Sequence, residues 1–288
     1  MRKEIIIVDK AKGVYRVTTN DQRFYLKEVI DETTGLPTFK WKKSVTWISS
    51  FYPKGKQFWM WLASKGWSEA EEIKSAAGSK GTKVHAAASV IMAGGTVKME
   101  DKFTDTNTGA PEELTVDEYE CLMSFVNWAN EVKPEIILNE EVVESEKYDY
   151  AGTVDIVAKI GDQIYIIDLK TGQAIWPEYE LQISAYKQAL KEMGRKVENV
   201  KLAFLQLGYK RNKKKFKFTE VNDKFELFLH AQAICNNETE NQSPKQAEYP
   251  LELKLDLPKK PPVASQDAPS EAKEVKKVVS PKKLTKNK

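Results

Sequence analysis

The chain contains few cysteine and histidine residues for its length. Its 288 residues include two cysteines, Cys121 and Cys235, and two histidines, His85 and His230. Two cysteines are too few for a disulfide framework or for a four-cysteine metal site. This scarcity argues against a small disulfide-stabilised secreted domain and favours an intracellular protein.

Long apolar runs and nucleotide-binding signatures are also missing. No run approaches the 18 apolar residues that a membrane-spanning helix needs. The apolar stretch near the N-terminus, Ile5 to Val8, is too short for the core of a signal peptide. No G-x-x-x-x-G-K-[ST] motif occurs, so a helicase motor would have to belong to another chain. We expect a cytoplasmic protein, in the host cytoplasm if a phage encodes it, with a substantial core from its 41% hydrophobic residues.

The net charge of +3 is unevenly distributed along the chain. Residues 258–288 contain nine lysines against three acidic residues, a net +6, which leaves −3 for the rest. The same segment has five prolines and no aromatic residue, a composition typical of disorder. We therefore predict a disordered Lys/Pro-rich tail over 251–288. It would either hold polyanions loosely by charge, or serve as a solubilising segment or a tether for a recombination or helicase partner.

A strand, a tight turn and a second strand are predicted between Tyr150 and Lys170. Apolar residues alternate from Val154 to Ala158, and Ile164 to Ile167 form a short β-prone run. Gly161-Asp162 between them suits a type II′ turn. With Ile160 opposite Gln163, this register places Asp155 across from Asp168.

Opposed carboxylates need a positive partner. Cβ atoms of directly opposed residues lie roughly 4.5–5.5 Å apart, where like charges repel. A Mg²⁺ or Mn²⁺ ion between Asp155 and Asp168 would satisfy both, since these ions prefer oxygen ligands. Lys170 points to the same face as Asp168 and could neutralise an oxyanion or orient a water. The alternative is an ordinary solvated strand end.

Further polar residues follow at helical spacing. Pro177 marks the start of a helix and Gly194 its end. Gln182 and Tyr186 lie one turn apart on one face of this helix. His85 lies in an earlier apolar helix, where a histidine is either a satisfied core residue or, beside carboxylates, a metal ligand.

Four motifs together resemble one known family. G-x-x-D at Gly152–Asp155, D-x-K at Asp168–Lys170, Q-x-x-x-Y at Gln182–Tyr186 and G-x-x-x-H at Gly81–His85 occur in the family's order and spacing. They are similar to the motifs of the PD-(D/E)xK nuclease superfamily, specifically its RecB-like branch, which includes CRISPR-associated and phage recombination exonucleases. The resemblance spans Ser44 to Tyr186.

The resemblance implies a fold, a metal site and a set of catalytic residues. It implies a restriction-endonuclease-like mixed α/β sheet flanked by helices, and hydrolysis of phosphodiester bonds with Mg²⁺ or Mn²⁺. The implied metal ligands are His85, Asp155, Asp168 and the backbone carbonyl of Leu169. The implied catalytic residues are Asp155, Asp168, Lys170, Gln182 and Tyr186. Glu140 is the best match for a supporting glutamate, with Glu141 as its rival. Many relatives bind an iron–sulfur cluster through four cysteines, which this chain lacks, so no iron–sulfur cluster is expected.

Candidate nucleic-acid contacts lie outside these motifs. Trp176 either stacks a base or closes the loop before Pro177. A basic turn is either a solvated hairpin tip or a ridge that contacts phosphates; its residues are Lys210, Arg211, Lys213, Lys214 and Lys215. Five of the seven tryptophans fall by residue 67, and this density favours a core over a base-stacking platform.

The remaining pattern predicts the domain plan. We expect a β-rich region over 1–43, a nuclease domain over 44–250 and the tail over 251–288. Helices are predicted from Ser44, over residues 56–64, from a capping box at Ser68-x-x-Glu71 with breaks at Gly78 and Gly81, from Thr115-x-x-Glu118, and from an Asn222 cap. Residues 98–111 are predicted to form a loop.

We therefore expect a metal-dependent DNA exonuclease that accepts single-stranded or duplex ends, with a role in DNA recombination, repair or phage DNA processing. The same core serves structure- or site-specific endonucleases, which is the alternative within enzymes. A catalytically inactive nucleic-acid-binding subunit is the alternative of another class. The residues alone do not distinguish DNA from RNA.

Overall fold

The computed structural model describes residues 4–9, 14–18, 23–197 and 199–239. The strands are β1 (Glu4–Asp9), β2 (Val14–Thr18), β3 (Arg23–Ile30), β4 (Pro37–Ser44), β5 (Lys102–Thr104), β6 (Pro111–Glu113), β7 (Glu135–Ser145), β8 (Tyr150–Ile160), β9 (Gln163–Lys170), β10 (Lys201–Leu207) and β11 (Phe216–Val221). The helices are α1 (Val45–Ser49), α2 (Lys56–Lys65), α3 (Trp67–Met92), α4 (Val116–Val132), α5 (Pro177–Glu192) and α6 (Phe225–Glu238).

The described residues form one large mixed sheet. Its strand order is β1-β2-β3-β4-β8-β9-β10-β11, with β7 also paired to β8, while β5 and β6 form a separate hairpin. The β4–β8 and β9–β10 pairs are parallel and the others are antiparallel. The parallel β9–β10 connection is made through α5, as parallel neighbours require a crossover. The predicted mixed α/β sheet flanked by helices is confirmed.

Strand β8 is divided along one of its edges. Its full length pairs with β7 on one side. On the other side it pairs first with β4, at Tyr150 and Ala151, and then with β9, from Ile156 to Ile160. The segment Gly152–Asp155 lies between these two partners, so the G-x-x-D motif falls where β4 gives way to β9.

Helices cover both faces of the central strands. One core cluster joins β8, β9 and β10 to α1, α5 and α6, and includes Ile48, Ile166 and Phe228. The other joins the same strands to α3 and α4, and includes Trp128 and Ile167. Consecutive residues Ile166 and Ile167 belong to opposite clusters, as the alternation of side chains along a strand requires.

The predicted β8–β9 hairpin is confirmed. Ile160 pairs with Gln163, and the same register continues to Ile156 and Ile167. Gly161 has φ +60° whereas Asp162 does not have a positive φ, which matches a type II′ turn with glycine at its first central position.

The helix starts predicted at residue 56 and at Pro177 are confirmed. Of the four predicted capping residues, two are confirmed and two are wrong. Ser44 caps α1 by accepting a hydrogen bond from the Trp47 N–H at 3.1 Å, and Thr115 forms a capping box with Glu118 at the start of α4. The Ser68 capping box is wrong because Ser68 lies inside α3, which begins directly after Gly66. The Asn222 cap is also wrong, since Lys224 holds the cap position of α6.

Helix α3 is continuous through both glycines that we expected to interrupt it. A helix-interior glycine costs only about 1 kcal/mol relative to alanine. Packing against α4 along the buried side chains of Val84, Ala87 and Ala88 outweighs that cost. The expected breaks at Gly78 and Gly81 are therefore wrong, and His85 lies in the second half of one 26-residue helix.

The predicted loop over residues 98–111 contains strand β5 and the first residue of β6. Asp105 begins the turn between them and accepts hydrogen bonds from the Asn107 N–H at 2.7 Å, the Thr108 N–H at 3.2 Å and the Ser79 hydroxyl. Burial opposes the charge of Asp105 most strongly, but these donors and Lys83 outweigh it and lower its pKa. The turn is thereby joined to α3.

The predicted domain boundaries at 43/44 and 250/251 stay predictions. Strand β4 crosses the first of them and joins β3 to β8, and the predicted tail over 251–288 lies outside the described residues. Among the described helices, none combines the length and the apolar character needed to span a membrane.

Candidate active site

The two hairpin aspartates lie just beyond the last paired residues of β8 and β9. The ladder ends at Ile156 and Ile167, and Asp155 and Asp168 follow in the same register. The Leu169 N–H donates a hydrogen bond to Asp155 Oδ2 at 2.7 Å. Both aspartates are buried, so each carboxylate needs a nearby compensating charge.

Lys170 supplies one of these charges. Its Nζ lies 2.5 Å from Asp168 Oδ2 and 4.3 Å from the ring centre of Tyr179. Burial is the largest influence on Lys170 and disfavours its charge, but Asp168 and Asp155 outweigh burial and raise its pKa. Lys170 is therefore a cation held against Asp168 and an aromatic face.

His85 connects α3 to the other aspartate. Its Nδ1 lies 3.3 Å from Asp155 Oδ1 and 3.9 Å from Glu140 Oε1. Its Nε2 lies 3.1 Å from the carbonyl oxygen of Leu169. One ligand atom from each of His85, Glu140 and Asp155 falls within 4.8 Å of the others. These three residues are called the donor cluster below.

Glu140 reaches the donor cluster through an unusual backbone conformation. It lies in β7 between Asn139 and Glu141, which pair with Ile156 and Val154, so it stands level with Asp155. Its φ is +51°, in the left-handed region that side chains other than glycine rarely adopt. The neighbouring Glu141 instead lies 3.4 Å from Arg195. Of the two glutamates weighed from sequence, the structure brings Glu140 to His85 and Asp155.

The charges of the site are mutually balanced. Burial raises the pKa of Asp168 to about 6, and Asp155 adds to this effect. Burial also opposes the charge of Asp155, but His85, Lys170 and the Leu169 N–H together lower its pKa. Burial works against the charge of His85, whereas Asp155 and Glu140 raise its pKa to about 9. The site is thus a compact set of alternating charges.

Gln182 and Tyr186 project from α5 towards Asp168. Gln182 Nε2 lies 2.7 Å from the Tyr186 hydroxyl and 3.4 Å from Asp168 Oδ1. Tyr186 is buried against Gly152, where a Cβ would lie only 2.5 Å from Tyr186 Cε1. Gly152 therefore provides the space for the tyrosine ring, and the two motifs G-x-x-D and Q-x-x-x-Y meet at this contact.

A comparison with models of protein families identifies the family of this chain. The family model of the PD-(D/E)XK nuclease superfamily matches residues 59–268, more than half of the chain. The chain belongs to the PD-(D/E)XK nuclease superfamily. The RecB-like motifs of this nuclease agree with that match, and members of the superfamily use divalent metal ions and act on nucleic acid.

Two of the solved structures that the chain matches carry the descriptions alkaline exonuclease and putative exonuclease. An alkaline exonuclease from Laribacter hongkongensis is 12% identical, with 69% of this chain and 88% of that chain covered and a TM-score of 0.35. A putative exonuclease from Eubacterium rectale is 9% identical, with 59% and 77% covered and a TM-score of 0.32. No curated protein matches the chain.

The donor cluster of this PD-(D/E)XK nuclease fits a divalent metal ion. It offers one imidazole nitrogen and two carboxylates, and the Leu169 carbonyl lies against the same histidine. Oxygen donors suit Mg²⁺ and Mn²⁺, and an imidazole is compatible with Mn²⁺. Asp168 is not within the donor cluster, because its carboxylate turns towards Lys170 and Gln182.

The basic turn of the nuclease lies beside the loop that follows Lys170. Gln173 links the two, because its Oε1 accepts from the Lys210 N–H at 2.8 Å and its Nε2 donates to the Gly208 carbonyl at 2.9 Å. All the predicted basic residues from Lys210 to Lys215 are exposed. Two of them make ion pairs, Lys214 with Glu131 and Lys210 with Asp117. Trp176 occupies the cap position of α5 and is exposed.

Two contacts of the site escaped the sequence analysis. Tyr179 places its ring against Lys170, and its spacing of three residues from Gln182 could have indicated a shared helix face. The Tyr25 hydroxyl lies 2.9 Å from Thr153 Oγ1 inside the G-x-x-D motif. No local signal could have indicated the second contact, because 128 residues separate its partners.

Proposed function

We propose that this protein is a metal-dependent deoxyribonuclease, and specifically an exonuclease, which hydrolyses phosphodiester bonds at the β8–β9 hairpin. The observation that carries the proposal is the donor cluster of His85, Glu140 and Asp155, which lies beside the Asp168–Lys170 ion pair in a member of a nuclease family. A metal ion and a positioned cation both stabilise the negative charge that develops during phosphodiester hydrolysis.

The metal would be held by the donor cluster together with the Leu169 carbonyl, and Asp168 would join these ligands once its carboxylate turned from Lys170 towards the ion. A divalent cation at this position would supply Lewis acidity towards a phosphate oxygen. Glu140 thereby takes a ligand's role rather than a supporting one. The distance of 3.9 Å between His85 Nδ1 and Glu140 Oε1 supports this assignment, whereas Glu141 pairs with Arg195.

Lys170 would act on the phosphate and the attacking water. Its side chain is half-buried, at 15% exposure, and its ammonium group is already directed by Asp168 and Tyr179. A fixed positive charge in such a site stabilises the negative charge that builds up on the phosphate oxygens, and needs little reorganisation to do so. Gln182 and Tyr186 would keep Asp168 in place through the hydrogen bonds described above.

DNA would approach along the basic turn. The Gln173 hydrogen bonds fix this turn next to the loop after Lys170, and phosphate contacts from Lys210 to Lys215 would position the strand without reading its sequence. Trp176 would stack a base next to the site. The preference for an exonuclease over an endonuclease rests on the resemblance of the four motifs to the RecB-like branch, and DNA as the substrate rests on the same resemblance.

The test is cleavage of end-labelled and internally labelled single- and double-stranded DNA with Mg²⁺, Mn²⁺ or EDTA. Asp155→Asn should abolish cleavage, and Lys170→Met should lower the rate by about 10²- to 10³-fold. Asp162→Asn is the matched control, because Asp162 lies in the turn of the same hairpin but is exposed, and it should cleave like the wild type.

Release of end label before internal label would support the exonuclease, and the reverse order would support the endonuclease. Tight DNA binding without cleavage in the presence of any of these metal ions would overturn the proposal that the protein is an enzyme. It would favour a catalytically inactive nucleic-acid-binding subunit. A ribonucleotide version of each oligonucleotide, cleaved faster than its DNA counterpart, would contradict the assignment of DNA as the substrate.

A further inference from the structure

Helix α2 presents aromatic side chains to the outside of the protein. None of its residues is buried. Trp59 is 56% exposed, and Trp67, the first residue of α3, is 71% exposed. Aromatic density was expected to indicate a core, and this expectation is wrong for both residues. The segment of residues 54–67, which includes α2, is called the aromatic segment below.

The charge of the aromatic segment is of one sign. It contains Lys54, Lys56 and Lys65 and no acidic residue. Lys54 and Lys65 make ion pairs with Glu178 and Glu69, and Lys56 is exposed, with no ion pair to any described residue. Lysine is depleted in protein–protein interfaces, whereas aromatic rings combined with positive charge are typical of surfaces that bind single-stranded nucleic acid.

The exposed ring of Trp59 is also held in a fixed orientation. Trp59 Nε1 donates a hydrogen bond to the Lys54 carbonyl at 3.1 Å. The Phe58 ring packs edge to face against Trp59, with centroids 5.3 Å apart, and its centroid lies 5.9 Å from that of Trp61. Rings that are ordered before binding lose less conformational entropy when a base stacks on them.

The aromatic segment is joined to the candidate active site. Lys54 pairs with Glu178, near the start of α5. The next residue, Tyr179, has its ring 4.3 Å from Lys170 Nζ, and the exposed Trp176 lies two residues before Glu178. The Lys54 end of the aromatic segment is therefore joined to the part of α5 that contacts Lys170.

We propose that the aromatic segment is a binding surface for single-stranded DNA, on which Trp59 and Trp67 stack bases while lysines attract the phosphates. The inference deepens the proposed function and rests on it, since it names the form of DNA that the nuclease holds next to its site. The aromatic segment precedes the D-x-K motif in the sequence, whereas the basic turn follows it. The aromatic segment would therefore be a second DNA-binding surface in addition to the basic turn.

Binding of the full-length chain to labelled oligothymidylate in EDTA tests the proposal without cleavage. Trp59→Ala and Trp67→Ala should each weaken binding by about 5- to 160-fold, the range for loss of one stacked base. Phe39→Ala is the matched control, because Phe39 is a 52% exposed aromatic on β4, and its affinity should equal that of the wild type. Lys56→Ala should reduce the slope of log affinity against log salt by about 0.7, whereas Trp59→Ala should leave the slope unchanged.

An abasic oligomer of the same length separates stacking from charge, because it has the phosphates without the bases. The two tryptophan variants should bind this oligomer as the wild type does. Equal losses on both oligomers, or no loss on oligothymidylate, would overturn the proposal. Dissociation of an oligomer of the protein in the tryptophan variants, seen by sedimentation, would instead assign the surface to a second copy of the chain. Binding without cleavage in the nuclease assay would overturn the proposed function. The affinities of the variants for the two oligomers could still be compared.

Discussion

Replacement of Gly152 by alanine tests how the G-x-x-D motif supports the site. The added Cβ would lie 2.5 Å from Tyr186 Cε1, 3.2 Å from Tyr186 Cδ1 and 3.1 Å from Val45 Cγ2. Carbon atoms in contact normally lie about 3.5–4.0 Å apart, so the ring would have to move by roughly 1 Å. Tyr186 is 3% exposed, and its surroundings leave little room for that movement.

The expected free-energy change combines two opposing contributions. Overpacking of a well-packed core destabilises a protein by about 1–3 kcal/mol. The change from glycine to alanine reduces the entropy of the unfolded chain, which stabilises the protein by about 0.4–1 kcal/mol. We therefore expect Gly152→Ala to lower the free energy of unfolding by about 1–2 kcal/mol.

Gly78→Ala is the matched control and should have the opposite sign. Gly78 lies in the interior of α3, is exposed, and a Cβ there would meet no atom within 4 Å. The higher helix propensity of alanine should stabilise the protein by about 1 kcal/mol. Denaturant unfolding measures both variants, and DNA cleavage should fall only in Gly152→Ala, because displacement of Tyr186 moves Gln182 away from Asp168.

A double-mutant cycle identifies the tyrosine as the cause. Tyr186→Leu removes the ring atoms that the new Cβ would contact, so Gly152→Ala should destabilise this background less than it destabilises the wild type. Equal destabilisation in both backgrounds, or a Gly152→Ala protein as stable as the wild type, would refute the steric reasoning.

Three further changes test other parts of the structure. Tyr179→Leu should lower the rate of cleavage more than it lowers substrate affinity, because it removes the aromatic face next to Lys170. Separate measurement of kcat and KM tests this prediction, and an unchanged kcat would contradict it. Asp105→Asn should destabilise the protein at neutral pH. The folded pKa of Asp105 lies below its ordinary value of 3.8. Its stabilising contribution is therefore present above that value and is lost as the pH falls through the folded pKa. The difference between the urea midpoints of the wild type and the variant should narrow in acid, and a constant difference would contradict this prediction. Thr115→Ala should lower the free energy of unfolding by about 1 kcal/mol through loss of the α4 cap, and an unchanged thermal midpoint would argue that the capping box contributes nothing.

Local signals in the sequence predicted much of the central hairpin. The Gly161-Asp162 turn sets the register by itself, because a two-residue loop leaves one pairing of the flanking strands. From that register the sequence placed Asp155 and Asp168 at the same level. The ion pair of Lys170 with Asp168 joins two residues on one face of β9, whereas the hydrogen bond from the Leu169 N–H to Asp155 crosses the hairpin.

Other features depend on packing that propensities do not describe. Gly78 and Gly81 favour a break, yet the contacts of α3 with its neighbours hold the helix together. The exposure of Trp59 and Trp67 was mispredicted because aromatic composition says nothing about which face a helix turns outward. The left-handed backbone of Glu140 has no signal in the sequence.

The left-handed backbone conformation of Glu140 lowers stability but places a carboxylate in the donor cluster. A left-handed conformation costs a residue with a side chain roughly 1–2 kcal/mol, and glycine adopts it freely. Glycine at this position would therefore relieve strain while it removes a carboxylate from the donor cluster. A variant library selected only for thermal resistance should accumulate glycine or asparagine at residue 140, and the proteins that gain stability there should be the ones that lose activity.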